Sequence, residues 1–92
     1  MALQSALASY IATLERCLAK THRAEDRSIY EKYLADAAGI LAGAVLGESM
    51  EILGSRFEAH ERLWGHTWLQ DPAYREASSA WGAVKKEAKV AT

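Results

Sequence analysis

The side chains with the most chemical reach in this chain are Glu58, His60, Glu61 and His66, which crowd into one short stretch. Their spacing limits what they can do. A zinc-binding helix of the protease kind holds two histidines four residues apart, so that both imidazoles leave one face. Here the two are six apart and leave different faces. No Glu-x-x-His pair occurs anywhere in the chain, so the inward-facing ligand set of di-iron bundles is missing as well. A metal or small-ligand site built from His60, His66 and the neighbouring glutamates would have to be assembled across a dimer axis. That is the alternative reading of function, and no single chain is expected to hold a metal or cofactor by itself.

His60 lies one helical turn from Phe57 and one from Trp64, inside an apolar stripe. The plain expectation is a half-buried histidine satisfied by one partner. The functional expectation is a ligand or a pH-sensitive interface residue, because an unperturbed imidazole titrates near ~6.5. The segment Trp64-Gly65-His66-Thr67-Trp68 sets two tryptophans around a glycine just before a turn. Tryptophan is enriched at the energetic centres of interfaces. Trp64, His66, Trp68 and His60 are therefore the candidates for a partner or ligand contact, against the plainer reading of a packed inter-helix corner. No residues qualify as catalytic: there is no glycine-rich phosphate loop, no nucleophile elbow and no carboxylate pair with an apolar setting.

Positioning these side chains falls to helices, since apolar residues recur at three- and four-residue steps almost throughout. Leu3, Leu7, Tyr10, Ile11, Leu14, Cys17 and Leu18 mark a first helix over about 2–20. Ile29, Tyr30, Tyr33, Leu34, Ala37, Leu41 and Val45 mark a second over about 24–46, with Thr21 or a Ser28/Glu31 box as its cap. Gly47, Glu48 and Ser49 read as a stop and a new start. A third helix over about 49–67 carries Ile52, Leu53, Phe57, His60, Leu63 and Trp64 on one side. Asp71-Pro72 reads as a cap followed by a first-turn proline, opening a fourth helix over about 72–89 with Tyr74, Ala77, Trp81, Val84 and Ala88 inward.

The second helix carries no charge between Asp36 and Glu48, so its later half is expected to be walled off by other helices. Ala35, Gly39, Gly43 and Gly47 recur every four residues there and form a candidate association face. Interior glycine costs a helix ~1 kcal/mol relative to alanine, which close helix–helix approach would offset.

The fold class that follows is all-α: a small up-down bundle of four helices, residues 1–92 forming one domain. Helices one and two should pair as one hairpin and three and four as a second. A chain of 92 residues buries only about 60–65% of its unfolded surface, so dimerisation is expected to complete the core. Eleven basic and twelve acidic residues build no basic footprint, which argues against nucleic acid. Lys85, Lys86 and Lys89 suit the negative end of the last helix. Cys17 is the only cysteine and sits on an apolar stripe, where a thiol acts as a small hydrophobe. No stretch reaches the ~20 apolar residues of a membrane span. The expected protein is cytoplasmic and homodimeric, and works by protein–protein contact or self-association rather than catalysis. No residue pattern names a biological process.

Overall fold

The computed structural model describes residues 2–66 and 72–91, leaving out the side chains of Ala2, His66, Val90 and Ala91. Four helices follow one another: α1 (Ala2–Lys20), α2 (Ala24–Val45), α3 (Met50–His66) and α4 (Tyr74–Ala91). The all-α bundle anticipated from periodicity is the fold, with helix ends within two residues of the expected ones.

The junctions are set by particular hydrogen bonds. Thr21 does not cap α2. Its N–H bonds back to the Cys17 carbonyl at 3.0 Å, and its own carbonyl accepts Arg27 Nη1 at 3.2 Å. Arg27 also reaches the Leu18 carbonyl at 2.9 Å, so one guanidinium satisfies carbonyls at the negative end of α1. Ser28 lies inside α2, and the N-cap position belongs to Arg23, whose side chain makes no capping bond. The positive end of α2 is met instead by Glu25 and Asp26 in its first turn.

The α2–α3 turn behaves as its sequence suggests. Gly47 takes the left-handed conformation (φ 82°), the Glu48 N–H returns to the Gly43 carbonyl at 3.0 Å, and the Gly47 N–H to Ala44 at 3.2 Å. That is a Schellman closure, which a residue with a Cβ would strain. Ser49 then caps α3, its Oγ accepting the Ile52 N–H at 3.3 Å. Before α4, Pro72 and Ala73 form a tight turn, with Arg75 N–H to Pro72 at 3.4 Å and Glu76 N–H to Ala73 at 3.1 Å. The helix therefore begins two residues later than the proline suggested; Asp71 lies outside the described residues.

Packing is uneven around the bundle. α1 is the central helix, lying along both α2 and α4, while α3 packs against α2 more sparingly. α3 and α4 stand farther apart than the other neighbours and meet through side chains, with Phe57, His60 and Glu61 against Trp81, and Glu61 paired with Lys85. The spatial order is α4–α1–α2–α3, with three seams closed and the fourth bridged by side chains. The core runs through Leu7, Tyr10, Leu14, Cys17, Tyr30, Tyr33, Ala37, Ile40, Leu53, Ala77, Trp81 and Val84.

Three residues of the expected apolar stripes stay outside it: Val45 is 63% exposed, Ile52 48% and Tyr74 36%. Each sits in the first or last turn of its helix, where the axis has run past its neighbours. The charge-free half of α2 is likewise covered on one face only. Ala37, Ile40 and Gly43 are buried, whereas Ala38, Ala42 and Val45 are open. Small side chains expose little apolar area, so this costs far less than a bare leucine face would.

Candidate functional site

At the centre of the bundle, one helical stripe from each of α1, α2 and α3 delivers a polar group to a common point. Tyr10 comes from the middle of α1, Asp36 from α2, and His60 and Trp64 from successive turns of α3. The indole Nε1 of Trp64 can only donate, and it donates to Tyr10 Oη at 2.9 Å. The Tyr10 hydroxyl is thereby turned to donate to His60 Nε2 at 2.5 Å. His60 Nδ1 then carries the proton and donates to Asp36 Oδ2 at 2.7 Å. A one-way chain from Trp64 to Asp36 fixes the histidine tautomer.

Aromatic rings hold the chain in place. His60 meets Tyr10 and Tyr33 edge-on at centroid separations of 5.5 Å, and Trp81 of α4 at 4.5 Å. Trp64 lies against Tyr33 at 4.6 Å, and the Tyr33 hydroxyl donates to the Leu63 carbonyl at 3.3 Å. Trp81 is tied at its other end: its Nε1 donates to Glu61 Oε2 at 3.0 Å, and the same oxygen takes Lys85 Nζ at 2.9 Å.

Burial governs the protonation states. His60 is fully buried and its pKa lies below the usual 6.5, because loss of hydration disfavours the imidazolium more than Asp36 and Glu61 favour it. Burial also pushes the Tyr10 phenol up, against the opposing hydrogen bond from Trp64. Glu61 is held below its ordinary value, first by the Lys85 hydrogen bond and further by Trp81, with partial burial working the other way.

An acid, an imidazole and a hydroxyl in line resemble the order used to activate a nucleophile. Here the hydroxyl is a phenol that stays protonated, and neither Tyr10 nor His60 exposes any surface to a substrate. Asp36 reaches out into a surface hollow of about 440 Å³ shared with Lys32, Ala35, Ala59 and Leu63. The arrangement ties α1, α2 and α3 together through one buried histidine.

The candidates named from sequence fall in different places. His60 has two partners where one was expected, and is buried outright rather than half-buried. Both its ring nitrogens are engaged, Nε2 by the Tyr10 hydroxyl and Nδ1 by Asp36. Among the described residues no three of His, Cys, Asp and Glu converge. Trp64 is half-buried, with its indole N–H turned inward to Tyr10. Trp68 and the His66 side chain lie outside the described residues. Of the four-residue line in α2, Ala35 is exposed and Gly39 lies beneath Arg56, whose Nη1 is 3.8 Å from where a Cβ would stand. Gly43 is buried under the Glu48 carboxyl, and Gly47 stands beyond the helix end.

Asp36 and Tyr10 were not singled out from sequence. The signal for Asp36 was its place three residues after Tyr33 and one before Ala37, at the margin of a buried stripe. A histidine within such a stripe needs two partners, and marginal acids are the natural suppliers.

The second feature with a shape is the unclosed seam. Met50, Gly54, Phe57 and Glu58 of α3 face Lys85, Ala88 and Lys89 of α4 across a groove of about 380 Å³. Its inner end is the Phe57–Trp81 contact, with centroids 6.1 Å apart. Leu46 of the α2–α3 turn is 83% exposed, and Val45 before it and Ile52 in the first turn of α3 are exposed too.

Fold and site together define a small helical bundle with a hydrogen-bonded polar chain centred on a buried histidine and an apolar groove between α3 and α4. No protein-family model matches the chain, and no curated protein and no solved structure matches it either.

Proposed function

We propose that this chain is a non-enzymatic helical module that works through self-association, as a homodimer, and through contact with another protein. The observation that carries the reading is the apolar groove left between α3 and α4. A groove floored by Met50, Gly54 and Phe57 leaves apolar surface in water unless a further helix covers it, at roughly 25 cal/mol for each Å² left bare. A second exposed surface at Val45, Leu46 and Ile52 gives another protein a place to bind. The sealed state of Tyr10 and His60 supports a binding role over a catalytic one.

On this reading the protein works in the cytoplasm, where a buried thiol such as Cys17 stays reduced. Among the described residues no helix is long and apolar enough to cross a membrane.

Sedimentation velocity over a hundredfold concentration range tests the reading. A concentration-dependent shift from monomer to dimer is expected, and a single monomeric species up to high micromolar concentration would refute it.

A further inference from the structure

α1 and α4 pack closely and run antiparallel. Cys17 Sγ lies 3.5 Å from the Ala73 carbonyl, and the Tyr10 and Trp81 rings meet at a centroid separation of 5.3 Å. This register brings Arg16, just before Cys17, close to the level of Arg75, just after the turn at Ala73. Both side chains line one hollow of about 730 Å³. Its walls are otherwise mostly short: Thr13 on α1, and Ser79, Ala80 and Ala83 on α4. Short side chains there keep the space between the two helices open.

Like charges at one level of a packed seam repel each other unless something of opposite sign lies between them. Other cations of the chain are spent within it. Arg23 and Arg56 hold carboxylates, Lys85 holds Glu61, and Arg27 holds two carbonyls. Among the described residues, Arg16 and Arg75 have no carboxylate within ion-pairing distance. Glu76 lines the same hollow without pairing with either, so two guanidiniums face one carboxylate and the hollow keeps a positive excess. Arg16 is held by a neutral partner. Its Nη2 donates to the Thr13 hydroxyl at 3.2 Å, and that hydroxyl donates to the Ser9 carbonyl at 2.9 Å. Thr13 is only 6% exposed, so the anchor is a buried one.

A planar guanidinium presents paired N–H groups that match the oxygens of a carboxylate or a phosphate. One such fork uses up both oxygens of a carboxylate. The oxygens of a phosphate point to the corners of a tetrahedron, and can meet two forks and a hydroxyl such as that of Ser79 at once. From this placement we infer that the α1/α4 hollow binds a phosphate group, free or carried on a small molecule, between Arg16 and Arg75. A single site of this kind needs no extended basic footprint, so it agrees with the charge balance that argues against nucleic acid. It shares no residue with the α3/α4 groove, and adds a ligand to the proposed protein contacts without depending on them.

Titration with inorganic phosphate, followed by NMR through the arginine Nε–H signals, tests the site against sodium chloride of equal ionic strength. Saturable shifts at Arg16 and Arg75 are expected with phosphate and not with chloride. Arg16→Gln and Arg75→Gln, each checked for unchanged helix content, should each weaken binding at least about tenfold, the usual worth of a hydrogen bond to a charged group. Lys32→Gln removes the same charge from α2 and should leave the affinity unchanged. Glu76→Gln should tighten binding, because it takes a like charge out of the hollow. Shifts that follow chloride as well as phosphate, or an affinity that falls as far in Lys32→Gln as in the arginine variants, would reduce the effect to screening and overturn the site. Repeating the titration with glycerol phosphate separates the two sources. Tighter binding than inorganic phosphate assigns the hollow to a small phosphomonoester, and equal or weaker binding assigns it to the free ion.

Discussion

Trp81 separates two regions that handle the same apolar surface in opposite ways. Against its ring lie His60 and Tyr10, members of the hydrogen-bonded chain from Trp64 to Asp36. The same ring also meets Phe57, at the end of the α3/α4 groove, whose lysines and glutamate line it together with apolar side chains. A buried polar chain adds to stability only if it is completely satisfied, so the first region admits no newcomer. The second is unfinished by the same standard, and its loose ends are apolar ones that another molecule can cover without breaking a bond. Trp81 is the ring that the two regions share.

Replacing that indole should have the largest effect. Trp81→Ala opens the lock and the groove together, and should cost about 3–5 kcal/mol in a urea or thermal unfolding experiment. A loss below about 1 kcal/mol would mean that the two regions are not held apart by this ring.

Tyr10→Phe removes one oxygen and keeps the packing. It strands the Trp64 N–H and His60 Nε2, both facing the interior, and unsatisfied buried groups cost about 1–3 kcal/mol each. Unfolding should show a loss of about 2–3 kcal/mol with little change in oligomeric state. A change in dimerisation as large as the change in stability would show that lock and groove are coupled.

The smallest effect is the pH dependence. Folded His60 binds its proton less readily than the unfolded chain does, so protonation favours unfolding. Its contribution should be complete above the unfolded value of 6.5 and decline as pH falls below it, by at most about 1.4 kcal/mol per pH unit. Asp36→Asn removes the neighbour that favours the imidazolium, and should carry the decline to lower pH. A flat profile in both proteins would place His60 in contact with water and contradict the sealed lock. Unfolding midpoints measured along the pH series decide the matter.

Much of this was legible in the residues, for physical reasons that differ by element. Gly47 and Ser49 announced the α2–α3 turn because left-handed backbone and N-capping are local needs that few residue types meet. The stripe through Leu7, Tyr10, Leu14 and Cys17 announced α1 because amphipathic spacing survives whatever the helix packs against. Thr21 and Pro72 misled for the opposite reason. Thr21 is drawn into the end of α1, and Pro72 into a turn one step ahead of α4, by tertiary demands that a capping pattern does not register. Val45, Ile52 and Tyr74 fit their stripes by spacing, but a stripe does not say where the neighbouring helix stops.

What the sequence determined alone is the number of helices, their approximate ends and the inward face of each, because these follow from periodicity and local chemistry. The order of the helices around α1, the meeting of Tyr10, Asp36 and His60, and the gap between α3 and α4 were decided only in three dimensions. Each depends on residues from different helices arriving at one point, which no spacing along a single chain encodes.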